Sequence, residues 1–243
     1  SVILLLSLAL PSAATPERGD DPGNGANPES GKGYVGTGRC ASCHEQAWEA
    51  WRGSHHDLAM QRPTAASVLG DFDDASHEHF GVRTDFYRRD GRFFVRTDGP
   101  DGAATEYEVA WVFGVYPLQQ LLLPLADGRL QALSVAWDSR PAEEGGQRWY
   151  HLYPDEAIDH DDPLHWTGPY QNWNTRCAEC HSTDVRKNYD ADARRFATTF
   201  FEDDVGCEAC HGPGRDHVML AEGGTLDDAA DGGFPHDLGA RGE

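Results

Sequence analysis

The sequence predicts an α+β chain of low regular content, in which short helices and loops flank an inserted antiparallel β-subdomain and fold around bound groups. Three observations carry this expectation. The six cysteines form three identically spaced pairs, residues 82–152 alternate short β-rich runs with turn dipeptides, and 27 Gly and 14 Pro accompany only 39% hydrophobic residues. So much loop-forming material with so little apolar content leaves a core short of what a domain of this size buries, unless a bound group adds apolar surface.

The chain has 243 residues, enough for one large or two small domains. It opens SVILLLSLALPSAATPERGD, an apolar run followed by small residues. Residues 1–14 read as the remnant of a secretory signal with processing after Ala14, and the run is too short to span a bilayer. The competing reading is an N-terminal core strand, which the polar stretch behind it disfavours. Residues 15–33 hold no branched aliphatic or aromatic side chain and are expected to form a disordered linker. With no initiator Met and an end in AEGGTLDDAADGGFPHDLGARGE, a stretch without period, the sequence reads as a fragment.

Folded sequence is expected from Tyr34, with residues 34–81 as a first cysteine-bearing segment that includes a helix over EQAWEAW, where Trp48 and Trp51 share a face. In residues 82–152, DFYRRDGRFFVRT places Asp90-Gly91 between two aromatic-rich runs, a strong hairpin signal, and Asp127-Gly128 marks another turn. Residues 153–220 form the second and third cysteine-bearing segment, and 221–243 read as loop.

Cys40 and Cys43, Cys177 and Cys180, and Cys207 and Cys210 each enclose two residues, and each pair is followed at once by a histidine: His44, His181 and His211. C-x-x-C-H is the attachment motif of haem c. Its two thiols add across the porphyrin vinyl groups, and the adjacent histidine is then held under the iron as proximal ligand. Structural zinc would use two pairs and strand the third. A thioredoxin-type redox pair is single and sits in a βαβ unit. Disulfides closing such short loops three times over make a poor framework. The sequence therefore implies three covalently attached haems c.

A second axial ligand must come from elsewhere. Outside the motifs lie His55, His56, His77, His79, His151, His160, His165, His217 and His236, against only Met60 and Met219, so bis-histidine ligation and low potentials are expected. His56 follows the predicted helix about 17 Å from His44 if the span is helical, too far to cap the same haem. His165 lies among Trp166, Tyr170 and Trp173, surroundings suited to a porphyrin face. His217 follows His211 across Gly212-Pro213-Gly214. Proline cannot continue the helix and glycine permits a reversal, so His217 is expected to reach a haem other than the one His211 holds.

With these residues in view, CASCH with WRGSHH, CAECHST and CEACHGPGRDH resemble the multihaem c-type cytochromes related to the tetrahaem cytochrome of ammonia oxidation, hydroxylamine oxidoreductase and pentahaem nitrite reductase. The resemblance runs from about Tyr34 to His217 and is nearest to secreted members that carry tetratricopeptide repeats after the haem domain. It implies that His56 and His217 are distal ligands to neighbouring haems. It also implies electron transfer with other multihaem cytochromes as partners, in the periplasm or outside the cell. The alternative is an oxidoreductase acting on a small nitrogen or sulfur species at a five-coordinate haem. No motif residue is replaced by the lysine of a CxxCK variant, and no catalytic residue is assigned.

Forty-one acidic residues against 20 basic give a net charge of -21. That disfavours nucleic acid and anionic membrane as partners and favours a basic protein surface.

Overall fold

The computed structural model describes residues 32–229 and 231–235. The expected signal, almost all of the linker, and His236 lie outside the described residues. Among the described residues no helix is long and apolar enough to cross a membrane.

The Asp90-Gly91 hairpin forms as its sequence requires. Both residues take positive φ, 53° and 76°, the conformation of a two-residue turn matched to strand twist. The turn joins β3 (Val82–Arg89) to β4 (Arg92–Asp98) with Arg89 opposite Arg92. With β2 (Ala75–His79) and β5 (Ala104–Glu108) these make an antiparallel four-stranded sheet in the order β2-β3-β4-β5.

A second, six-stranded sheet contains β1 (Met60–Gln61), β6 (Trp111–Phe113), β7 (Leu118–Pro124), β8 (Leu130–Ala132), β9 (Val135–Asp138) and β10 (Arg148–His151). Its order is β1-β6-β7-β9-β10, with β8 also paired to β7 across the expected Asp127-Gly128 turn. Successive side chains alternate between its faces. Val112, Leu121, Leu123, Leu133, Val135 and Trp137 join Phe72, Phe86, Phe93, Val95 and Trp149 in the core shared with the four-stranded sheet. Trp111, Phe113, Leu122 and Ala132 point the other way, onto Met60, Trp173, Ala178 and Phe200. Since Trp173 and Ala178 flank Cys177, this second face is the floor on which the second cysteine motif rests.

The β-subdomain begins earlier than the expected residue 82. Met60–Gln61 pairs with β6, and Ala75–His79 pairs along β3. The sequence of β2, ASHEH, has no large apolar residue. It is an edge strand held mainly by backbone pairing, so the period-2 apolar signal that marks half-buried strands is missing.

The helices are short. α1 (Thr37–Ala41) and α2 (Glu45–Trp51) carry and follow the first motif, the latter over the predicted EQAWEAW. α3 (Trp173–Arg176) leads into the second and α4 (Ala178–His181) carries it. α5 (Cys207–His211) is the third motif itself. After it comes α6 (Arg215–Gly223), a helix where mostly loop was expected beyond residue 220. Its polar sequence gives little apolar periodicity to read.

Candidate haem-binding site

Each motif occupies about one helical turn. The amide of Cys43 bonds the carbonyl of Cys40 at 3.2 Å, and that of Cys180 bonds Cys177 at 3.0 Å. A turn of helix puts residues three apart on one face, so both sulfurs of a motif present to the same side. All six thiols are free, and in every motif the first cysteine is half-buried while the second is exposed. Burial, then the neighbouring Cys207, push the Cys40 thiol up to about 12. Burial also raises Cys177. Among the described residues no three side chains of His, Cys, Asp or Glu converge where a bare metal ion would sit. A structural zinc needs four such ligands together. Pairs of free thiols one helical turn apart, each followed by a histidine, fit thioether attachment of a porphyrin.

The motif histidines are prepared differently. His181 ends α4, and its Nδ1 lies 3.0 Å from the carbonyl oxygen of Ala59. A carbonyl only accepts, so Nδ1 carries the proton and Nε2 is left bare, the arrangement that orients a ligating imidazole. The edge of Phe113 packs against its ring at 5.4 Å. His44 and His211 are exposed at the ends of their motifs.

Of the distal candidates, His217 is brought to a motif histidine. It lies in the first turn of α6, and its ring comes to that of His44 with centroids 6.1 Å apart and planes 28° from parallel. Metal–imidazole nitrogen bonds are about 2 Å, so rings at this separation would be close enough to hold one haem iron between them if their in-plane nitrogens turn toward each other. His217 Nδ1 donates to the carbonyl of Gly232 at 2.8 Å, again freeing Nε2. Phe234 stacks on the ring at 4.5 Å and also touches His211 at 5.7 Å. Gly233 lies so close to α6 that a Cβ there would come within 2.8 Å of the His217 amide. The reversal that delivers His217 is the expected one: α5 stops at His211, Gly212 follows at φ 81°, and α6 starts after Gly214. The phrase GGF, in a stretch read only as loop, was the available signal for these partners.

His56 is exposed. Its carbonyl accepts the amides of Ala59 at 3.3 Å and Val205 at 3.1 Å. It therefore stands between Ala59, which holds His181, and Val205, which leads into the third motif; Trp51 Nε1 bonds the Val205 carbonyl at 2.9 Å.

His165 is held in a different way from the expected one. It is 4% exposed, with Nε2 bonded to Asp98 Oδ2 at 3.0 Å and Nδ1 to Thr167 Oγ1 at 2.8 Å. Both ring nitrogens are engaged inside the β-subdomain, so neither is available to an iron. The aromatic neighbours that suggested a porphyrin face are core: Trp166 packs among the inter-sheet residues and Trp173 beneath the second motif. Burial pushes the Asp98 carboxyl up, but the His165 hydrogen bond and charge outweigh it and leave it below the usual range. His79 on β2 and His151 on β10 stack face to face with ring centroids 3.8 Å apart. Burial, then the charge of His79, lower His151 to about 4, so the His151 ring is uncharged near neutral pH.

The motif segments are strapped together. Thr183, fully buried two residues after His181, donates from Oγ1 to the Asp204 carbonyl at 2.9 Å and accepts the Gly206 amide at 3.0 Å, tying the second motif to the third. Thr37 Oγ1 accepts the Cys207 amide at 3.0 Å, tying the first to the third. Glu208, inside the third motif and 2% exposed, accepts the amides of Val35, Gly36 and Gly214.

The chain matches the family model described as cytochrome c554 and c-prime over residues 39–85 and 152–212. No curated protein matches it. A solved structure, the outer cell wall cytochrome OcwA, is similar over 79% of this chain at 19% identity with a TM-score of 0.47. The chain spans 34% of that protein's length. The family match takes in every CxxCH motif and leaves the central β-rich residues 86–151 outside it, so it is in its haem-attachment segments that this chain is similar to the c-type cytochromes of that family.

Proposed function

We propose that the chain is an electron-transfer module carrying three covalent haems c, in which His44, His181 and His211 are proximal ligands and His217 is the distal ligand of the haem at Cys40 and Cys43. The observation that carries this reading is the approach of the His44 and His217 rings to 6.1 Å, one at the N-cap of α2 and the other in the first turn of α6. Haem c supplies reversible one-electron chemistry at iron when bound. The chain's own part is to orient the imidazoles, through the Ala59 and Gly232 carbonyls, and to hold the motifs close. His56 is the candidate for one of the two other irons. Two imidazoles on an iron favour a low potential, and straps between motifs keep neighbouring sites within hopping range. The acidic surface favours a basic redox partner, and the apolar opening of the chain favours export to the periplasm or beyond. Within the multihaem class, CEACHGPGRDH and WRGSHH favour relatives of hydroxylamine oxidoreductase and pentahaem nitrite reductase, with electron transfer as the role.

Addition of nitrite or hydroxylamine to the oxidised, haem-loaded protein is expected to leave its absorption and electron paramagnetic resonance spectra unchanged at the haem of His44. A high-spin signal there that responds to either ligand would overturn the pairing in favour of an open catalytic iron.

A further inference from the structure

We infer that Glu208, although it belongs to the third motif, sets the separation of the two imidazoles that hold the first iron. The inference rests on the proposed sharing of that iron by His44 and His217. Oε1 of Glu208 accepts from Gly214 at 2.6 Å and from Val35 at 3.0 Å, while Oε2 accepts from Gly36 at 2.7 Å and from Val35 at 3.0 Å. Gly36 is the N-cap of α1, which carries Cys40. Gly214 is the N-cap of α6, which carries His217 in its first turn. One carboxylate therefore ties together the chain segments that approach the first haem from its two sides.

The chemistry of the group makes this strap specific. Every one of these contacts comes from a backbone N–H, so both oxygens act as acceptors. Glutamine has almost the same shape but presents a donor in place of one oxygen. Its amide nitrogen would face either Gly214 or Gly36, and a buried donor against a donor is repelled rather than held. Either choice releases one side of the haem while the other stays strapped. Thr37 and Cys207 remain bonded through the Thr37 hydroxyl, and Glu202 still accepts the Thr37 amide at 2.8 Å. The first and third motifs thus stay associated, and what is lost is the fixed distance between α1 and α6.

The test uses the fully haem-loaded protein and counts low-spin ferric signals by electron paramagnetic resonance in wild type, Glu208→Gln, Glu208→Asp and His217→Ala. Glu208→Gln is expected to convert to high spin the same haem that His217→Ala converts, and added imidazole is expected to restore it. Glu208→Asp, which keeps both acceptor oxygens on a shorter arm, is expected to convert that haem only in part. The double variant Glu208→Gln/His217→Ala is expected to lose nothing further. If both Glu208 variants keep every low-spin signal while melting at lower temperature, Glu208 is a fold staple only and the inference fails. If His217→Ala itself leaves every signal in place, the shared iron is wrong and this inference falls with it.

Discussion

Replacing His217 with alanine is expected to convert one low-spin ferric haem, the one at Cys40 and Cys43, completely to high spin and to raise its reduction potential. The imidazole ring lies 6.1 Å from that of His44, and its Nε2 is freed by the bond from Nδ1 to Gly232. Alanine leaves water or an empty position there, a weaker ligand than imidazole, and loss of a second histidine favours the ferrous form. The haem at His211 should be unaffected, although His211 is the nearer histidine in sequence, because it is the His44 ring that the His217 ring meets. A change at the His211 haem with none at the His44 haem would reverse the assignment.

Replacing His165 with leucine is expected to destabilise the chain by about 2 kcal/mol, the scale of a hydrogen bond to a charged group, while the haem spectra stay unchanged. Asp98 is half-buried and loses its imidazole bond, retaining the weaker one from Thr97 Oγ1 at 3.2 Å. The double change Asp98→Asn/His165→Leu should recover part of the loss, since the unpartnered charge is then gone. Denaturant unfolding followed by circular dichroism measures both. A spectral change from low to high spin at any haem in His165→Leu would restore His165 as a ligand.

His217 and His165 mark where the sequence could be read and where it could not. CxxCH is legible because attachment chemistry fixes residue types and spacing within one helical turn. The Asp90-Gly91 hairpin is legible because a tight turn demands positive φ from its own two residues. The direction of the His217 arm follows from Gly-Pro-Gly for the same local reason. The approach of His217 to His44 is not local: it depends on Glu208 joining segments far apart in the chain, and no spacing rule encodes that. His165 misled because an aromatic neighbourhood serves a porphyrin face and a protein core equally well, and only the partner, Asp98, tells them apart. β2 was missed because an edge strand needs backbone partners more than apolar side chains.

The central claim is that this chain is built to carry haem at each of its three motifs, and the most direct measurement is the intact mass of the denatured protein after production with haem-maturation machinery. The account predicts three porphyrins retained per chain through denaturation, and one fewer in the Cys207→Ala/Cys210→Ala variant. A wild-type chain that carries no covalent porphyrin, or whose retained number does not fall when those two cysteines are removed, would contradict it.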